Sequence, residues 1–287
     1  MKRNIINNRF VFLIPALIFF VAFALLPIFL GLALSFTSWD LINPIKFVGL
    51  SNFRKLLEDK WFWNSLVVSF KFTGITTPML FIVSLILALL LYKESKASRI
   101  LRAFFYWSYM TPIVVAATMW KWLLSQNTGF VNYALSLLGF SPISWLNNSI
   151  TALLSICAAQ VWILSGFMMV LFITGLQNIP LEYREAALVD GANRIQIFRY
   201  ITFPLLKNTS ILVLVLSIAY SFRSFTLVYI MTAGGPGYAT TVTPLYIYQT
   251  AFTQFRIGYA SSMSLIFLII IMAIALLVMK IQKREEV

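Results

Sequence analysis

The sequence predicts an all-α membrane protein with six transmembrane helices in a single domain over residues 1–287. Hydrophobic residues make up 60% of the chain and charged residues 11%, whereas soluble domains carry roughly 25% charged residues. A helix needs about 20 mostly apolar residues to cross the hydrocarbon core of a bilayer. Six stretches are long enough, at about 10–36, 64–92, 103–125, 150–178, 209–232 and 260–280.

Lys and Arg are distributed unequally between the segments that join these spans. Most lie before the first span, between the second and third, between the fourth and fifth, or after the sixth: Lys2, Arg3, Arg9, Lys93, Lys96, Arg99, Arg102, Arg184, Arg194, Arg199, Lys207, Lys280, Lys283 and Arg284. Cytoplasmic loops carry the excess of basic residues. We therefore expect a multi-pass membrane protein with both termini in the cytoplasm. The net charge of +13 is then explained by basic residues that orient the protein against anionic lipid, and no nucleic-acid partner is needed to account for it.

The segments on the opposite side are expected to be ordered. Residues 47–63 carry apolar side chains at helical spacing and predict a short interfacial helix, with Ser51 as its N-cap. Residues 129–146 predict a second one, ended by Gly139 and Pro142. A helix cannot continue through Gly234-Gly235-Pro236-Gly237, so a turn is expected there.

The loop at 179–208 is the most informative polar segment. Pro180 suits the first turn of a helix, and Glu182 and Glu185 favour its N-terminal end through the helix dipole. Gly191 permits the left-handed turn that ends the helix. A second short helix from about Asn193 to Tyr200 would lead into the fifth span, with Pro204 near the start of that span or kinking it. The competing interpretation is an amphipathic helix lying on the lipid surface.

The run EAALVDGANRIQIFRYITFP, from Glu185 to Pro204, resembles the EAA loop of permease subunits in ATP-binding-cassette (ABC) importers. It follows the pattern EAA-x3-G-x9-I-x-L-P except that Phe203 stands for Leu. FVGLSNFRKLLEDKWFW at 47–63 and the run from Tyr229 to Ser262 are also similar to segments of six-span, maltose-type permeases for sugars and glycerol phosphate.

The resemblance implies a type I ABC importer permease fold with a cytoplasmic coupling helix, in the inner or plasma membrane of a bacterium or archaeon. It implies that the loop docks on a separate ATPase through Glu185, Ala186, Ala187, Asp190, Gly191 and Pro204. The implied partners are a second homologous permease in a heterodimer, an ABC ATPase dimer, an extracytoplasmic solute-binding protein and the lipid bilayer. This subunit itself would be non-catalytic, with no cofactor or metal, because hydrolysis belongs to the ATPase.

Several absences in the sequence narrow the mechanism. The chain has no His and no G-x-x-x-x-G-K-[ST] phosphate loop, so it does not predict a P-loop ATP site of its own. All nine carboxylates fall outside the predicted spans, whereas proton-driven carriers place acidic or His relays inside the membrane. A sodium-coupled secondary carrier that is not powered by ATP stays open as the alternative.

A polar stripe in the fifth span predicts the substrate path. Arg223 lies near the centre of that span, where an unpaired charge costs about 2.5–3.5 kcal/mol on insertion scales. The residues expected to line a translocation cavity are Ser217, Tyr220, Arg223 and Ser224 of the fifth span and Gln160, Trp162 and Ser165 of the fourth. Aromatic faces beside hydrogen-bonding groups suit a carbohydrate.

Arg223 bears on the kind of carbohydrate. The similar permeases often show Gln-x-Phe-Asp-like residues where this chain has Arg223 to Thr226, so an acidic saccharide or a sugar phosphate joins neutral oligosaccharides as a candidate solute. Alternatively, Arg223 bonds to carbonyls of a broken helix or pairs with the second permease.

Overall fold

The computed structural model describes residues 13–284, which are mostly helical. The cations Lys2, Arg3 and Arg9 used for orientation lie outside the described residues, as do Glu285 and Glu286. Within the described part, four helices are individually long and apolar enough to cross a membrane, and there are six if each of two bent helix pairs counts as one span. The predicted all-α, multi-span membrane fold is confirmed.

The described residues form two compact units, one with the residues up to Trp63 and Tyr246–Ala273, and the other with Asn64–Leu245 and the residues from Ile274 onward. The prediction of one domain over 1–287 stays a prediction.

The first unit begins with helix α1 (Leu13–Ser35), whose most apolar part has no residue buried within the chain. A two-stranded antiparallel pair follows, β1 (Thr37–Ser38) with β2 (Lys46–Phe47). The pair is held on helix α2 (Ser51–Glu58) by Asn52, which donates to Ser35 O at 2.9 Å and to Thr37 O at 2.8 Å.

The predicted interfacial helix at 47–63 is in fact two helices, because Asp59 interrupts it. Asp59 has an extended ψ of 93°, and its Oδ1 accepts from Trp61 N at 3.0 Å and Phe62 N at 3.1 Å. It therefore caps the next helix, α3 (Lys60–Leu91).

The prediction that Ser51 is an N-cap is wrong, since Leu50 holds that position without a side-chain cap bond. The Ser51 N–H bonds back to Val48 O at 3.2 Å, through a turn in which Gly49 has φ +56°. Backbone groups thus start α2.

In the second unit, α3 is followed by α4 (Lys96–Met110) and α5 (Ile113–Leu123), which are bent by 98°. The predicted third span, 103–125, thus begins earlier and is not one straight helix. Thr111 has ψ 130°, because a residue before proline is driven out of the helical region, and Pro112 starts the new direction.

The remaining helices of this unit carry the candidate site. They are α6 (Phe130–Leu137), α7 (Ser149–Gln177), α8 (Leu181–Val189), α9 (Arg194–Leu205), α10 (Lys207–Phe222) and α11 (Thr226–Thr232). α6 is followed by Gly139 at φ +81°, as predicted. A Cβ on Gly166 would strike the backbone of Phe105, so α4 and α7 approach each other closely at this glycine.

The core of the second unit is a continuous cluster of buried side chains from α3, α5, α7, α10 and α11, and Phe72, Phe172, Met168, Met169 and Leu227 are among its most buried members. After α11, the chain turns through Gly234–Gly237 as expected and continues into α12 (Thr243–Tyr248), which is extended by one π-helical turn at Gln249–Thr253. The last helix is α13 (Ile257–Arg284).

Candidate functional site

The loop before the fifth span contains the two predicted helices. Pro180 is the N-cap of α8 rather than a residue of its first turn, because its ψ of 134° is extended. Glu182 lies in the first turn of α8, where a carboxylate complements the positive end of the helix dipole.

The turn after α8 requires its glycine. Gly191 has φ +81°, Ala192 N donates to Ala187 O at 2.9 Å, and Gly191 N donates to Leu188 O at 3.1 Å. This pair of bonds is the Schellman arrangement that ends helices at a left-handed residue. A Cβ on Gly191 would meet no atom within 4 Å, so the backbone conformation, not space, demands glycine.

Helix α9 runs further than the predicted end at Tyr200. It starts with a capping box in which Asn193 Oδ1 accepts from Gln196 N at 2.9 Å and Gln196 Oε1 accepts from Asn193 N at 2.7 Å. A π-helical turn at Phe198–Thr202 precedes Pro204, and α10 leaves at a 68° bend after Leu205. Pro204 therefore lies in the last turn of α9, just before the bend.

The outer surface of α8 and α9 is more apolar than the predicted coupling residues suggest. Glu185, Ala186 and Asp190 are exposed, but Ala187 is buried. Of the two alanines expected to admit another protein, Ala186 is thus the exposed one and Ala187 packs inside its own chain. Docking at both stays a prediction. Sequence reasoning missed the exposed apolar residues around them, although apolar residues in a polar loop were a readable signal: Leu181, Leu188, Val189 and Ile195.

The fifth span is interrupted at the predicted substrate-path residue. α10 ends at Phe222, Arg223 is its C-cap, and α11 starts at Thr226. The Arg223 side chain is exposed. Within residues 13–284 its guanidinium has no hydrogen bond or ion pair. The helix is broken, as one alternative required, but Arg223 does not bond to its carbonyls.

The other polar residues of the predicted path divide into two kinds. Ser224 Oγ donates to Gln160 Oε1 at 3.4 Å, and both residues are buried. Ser217 and Ser165 are buried as well, and their hydroxyls donate to carbonyls of their own helices, Val213 O at 2.7 Å and Trp162 O at 3.3 Å. Ser217 and Ser165 thus have no free hydrogen to offer a solute in this conformation.

The predicted Tyr220 and Trp162 lie beside three aromatic residues that sequence reasoning did not select, Tyr109, Phe167 and Trp120. The Tyr220 and Tyr109 hydroxyls lie 3.3 Å apart, and the Phe167 ring stacks on Tyr109 with centroids 4.6 Å apart. Trp162 meets Trp120 edge-on at 6.0 Å. In an apolar span, such residues look like packing, so the sequence held no signal to single them out.

A cavity of about 590 Å³ opens between α3, α4 and α7. Trp162 and Ser165 line it with Met79, Phe104 and Trp107 among others. Arg223, Tyr220, Ser217, Ser224 and Gln160 are not part of its lining. Of the predicted path residues, only Trp162 and Ser165 therefore line this cavity.

Helix α3 carries a buried polar face that was also missed. Ser69 Oγ accepts from Thr243 N at 2.8 Å, while the Thr73 and Thr77 hydroxyls are buried without a partner in the described residues. The nearly four-residue spacing of these side chains was visible in the sequence and marks one helix face.

The fold and these features define a multi-span membrane subunit. Its exposed helices α8 and α9, here called the elbow, precede an interrupted span. Residues 80–285 match the family described as binding-protein-dependent transport system inner membrane component, and the chain belongs to that family. It is therefore a permease subunit of a binding-protein-dependent ABC transporter.

Individual relatives match over nearly the whole chain. The chain is 37% identical over 276 residues to the probable ABC transporter permease protein YesP of Bacillus subtilis (strain 168), covering 94% of this chain and 89% of that protein. It is 33% identical to the trehalose/maltose transport system permease protein MalF of Thermococcus litoralis, covering 95% and 92%.

Among solved structures, the fold is similar to a chain of a bacterial ABC transporter involved in the import of the acidic polysaccharide alginate. The TM-score is 0.86 at 22% identity, covering 99% of this chain and 96% of that one. This likeness confirms the type I importer permease fold.

Proposed function

We propose that this chain forms part of the translocation path of an ATP-driven importer for a carbohydrate and is driven by a separate ATPase through the loop at 179–208. The single observation that carries the proposal is the exposed α8 elbow, bounded by the Gly191 turn and presenting Glu185 and Ala186 outward.

The surface of the elbow supports docking on a protein. Leu188, Val189 and Ile195 are 53%, 88% and 77% exposed, and exposed apolar side chains grouped on one segment mark interaction sites. Glu185 adds a charge that a basic group on the ATPase can pair with. Two further coupling residues, Asp190 and Gly191, shape the turn that presents this surface, while Ala187 anchors α8 inside the chain and Pro204 lies in the last turn of α9.

Carbohydrate as the solute is supported by one relative and by the chemistry of the interrupted span. The Thermococcus litoralis relative is named for trehalose and maltose transport. The Ser224–Gln160 bond and the Tyr220 and Trp162 rings put amide, hydroxyl and aromatic groups at the level of the break. A sugar offers a C–H face to the rings and hydroxyls to the polar groups.

An acidic saccharide or a sugar phosphate is supported by Arg223. Its guanidinium is exposed beside the break and has no carboxylate neighbour within residues 13–284. Arg binds carboxylate and phosphate groups through paired donors, so an anionic solute would compensate its charge.

The proposed assembly contains this permease, a second homologous permease, two ATPase subunits and an extracytoplasmic solute-binding protein, with both termini of this chain in the cytoplasm. Closure of the ATPases would move the elbow, and the spans would then open the path alternately to each side. No described feature favours a secondary carrier.

Cross-linking tests the docking. Cys157 is buried and is the chain's one cysteine, so Ala186→Cys introduces a single exposed thiol on α8. We expect it to cross-link to a copurified ATPase, whereas Ser136→Cys, exposed on α6, does not. A copurified ATPase that never cross-links to position 186 contradicts the proposal. Absence of any nucleotide-binding subunit favours the carrier instead.

A further inference from the structure

A direct hydrogen bond ties the elbow to the turn between the second and third spans. Arg184 Nη1 of α8 donates to the Tyr92 hydroxyl at 2.7 Å. Tyr92 directly follows α3, and Arg184 lies in the middle of α8. The two residues are 92 positions apart in the chain, so this is a tertiary contact between separate elements.

Tyr92 belongs to a turn that is firmly held. Arg102 of α4 reaches back over it, with Nε donating to Leu91 O at 2.7 Å and Nη2 donating to Tyr92 O at 2.8 Å and Lys93 O at 3.2 Å. Ser95 caps α4 by accepting from Ser98 N at 3.0 Å. A force applied to Tyr92 is therefore passed to the ends of both α3 and α4.

The Tyr92 ring adds a second anchor, since it packs against the buried core of the unit. Its hydroxyl is the part that reaches out to α8. Removal of that hydroxyl alone would break the tie and leave the ring packing in place, which makes the contact testable by a single-atom change.

The Arg184–Tyr92 hydrogen bond links α8 to helices that its covalent connections do not reach directly. The chain itself joins α8 to α7 through residues 178–180 and to α9 and α10 through the Gly191 turn. These covalent links carry any movement of α8 to the fourth and fifth spans. The Arg184–Tyr92 bond links the same helix to α3 and α4, which the chain does not join to it directly.

The chemistry of the bond suits a mechanical role. Bonds with one ionised partner are shorter and roughly twice as strong as neutral ones. Within residues 13–284, Arg184 has no carboxylate within ion-pair distance, so its guanidinium is not committed elsewhere. Because the acceptor is a neutral hydroxyl, the bond depends on its direction and acts only at short range.

We propose that Tyr92 and Arg184 are positioning residues that make α3 and α4 move together with the ATPase-coupled helix α8. The inference rests on the proposed function of the elbow and assigns it a transmission contact. Neither residue is required to touch solute or nucleotide.

The experiment uses the complete transporter with its second permease and ATPases. Spin labels at Lys93→Cys and Glu182→Cys, both exposed positions, measure the separation of the α3–α4 turn from α8. With the tie intact, we expect the same narrow separation in the nucleotide-free complex and in the complex trapped with ATP and orthovanadate. In Tyr92→Phe the separation becomes broader and differs between the two states.

The second readout is stimulation of ATP hydrolysis by the solute-binding protein, purified with the solute it carries. Tyr92→Phe and Arg184→Gln should each reduce that stimulation about fivefold or more, and the double variant should be no worse than the worse single one. Arg184→Lys should restore part of it. Tyr133→Phe, which removes an exposed hydroxyl on α6, is the matched control.

Two outcomes overturn the inference: an unchanged 93–182 separation in Tyr92→Phe in both states, or additive losses in the double variant. Failure of the proposed function itself looks different. In that case, the Ala186→Cys cross-link to the ATPase is missing in the otherwise unchanged protein, whatever stands at position 92.

Discussion

The Ser224 hydroxyl donates to the side-chain oxygen of Gln160 at 3.4 Å, and both residues are buried. Ser224 lies in the break between α10 and α11, whereas Gln160 lies within α7. The bond therefore joins the interruption of the fifth span to the buried face of the fourth, and it satisfies polar groups that lie away from water.

Replacing Gln160 by Leu should destabilise the folded protein, because the buried Ser224 hydroxyl loses its acceptor. An unsatisfied buried polar group costs about 1–3 kcal/mol. The measurement is thermal unfolding in detergent, with the exposed Ser136→Ala as control. The double variant Gln160→Leu/Ser224→Ala should recover part of the loss, and equal stability of the double and single variants would contradict the pairing.

Replacing Gly191 by Ala should strain the turn after α8, since a side chain at φ +81° costs about 1–2 kcal/mol. Gly191→Pro should go further and abolish stimulation of the ATPase while the protein still inserts in the membrane. Gly74→Ala is the control, because its helical site has no atom within 4 Å of the added Cβ. Full ATPase stimulation in Gly191→Pro would contradict the proposed coupling of the elbow to the ATPase.

Reversing the charge on α8 with Glu185→Lys should leave the protein inserted but remove ATPase stimulation, because an exposed carboxylate proposed to face the ATPase becomes a cation. The measurement compares the ATPase activity of the complete complex with and without the solute-binding protein. Glu94→Lys, another exposed carboxylate, is the control. Equal loss in both variants would point to a general effect of charge.

Arg223→Gln should selectively lower uptake of acidic oligosaccharides, because the exposed guanidinium is the group proposed to meet an anionic solute. Uptake of an alginate oligosaccharide and of maltose is compared in cells carrying the complete transporter. Lys121→Gln, an exposed cation at the end of α5, is the control. Unchanged uptake of every solute tested would show that Arg223 does not contact solute in the substrate path.

Replacing Asp59 by Ala should destabilise the first unit. Asp59 caps α3 through Trp61 N and Phe62 N, and its Oδ2 also accepts from Tyr259 at 2.8 Å and Tyr246 at 3.1 Å. Loss of an N-cap alone costs about 0.5–2 kcal/mol, and the tyrosine hydroxyls lose their acceptor in addition. Thermal unfolding should show a larger loss than for Asp40→Ala, whose carboxylate serves the exposed turn at Asn43.

The pattern of apolar spans and the turn at Gly191 were readable because each depends on local physical chemistry. Hydropathy reports how well a segment dissolves in lipid, and a glycine placed where a helix must stop reports a left-handed residue. The Glu185–Pro204 run added family membership, which residues 80–285 bear out.

Cap positions were less predictable even though they are local. Ser51 and Asp59 are both good N-cap residues, and they lie at the starts of two successive helices. Asp59 caps α3 with its side chain, whereas backbone bonds through the Gly49 turn start α2 and leave Leu50 at its N-cap. The path of the chain into each helix therefore decides whether a side chain or the backbone satisfies the first N–H groups.

The sequence by itself determined that the chain crosses a membrane by helices, that a polar elbow precedes the fifth span, and that Arg223 lies in that span. The tertiary structure alone decided that Ala187 faces inward, that Ser165 and Ser217 bond within their own helices, and that Tyr92 meets Arg184. The reason is that hydropathy distinguishes lipid from water, whereas the direction of a side chain depends on which neighbouring helix packs against it.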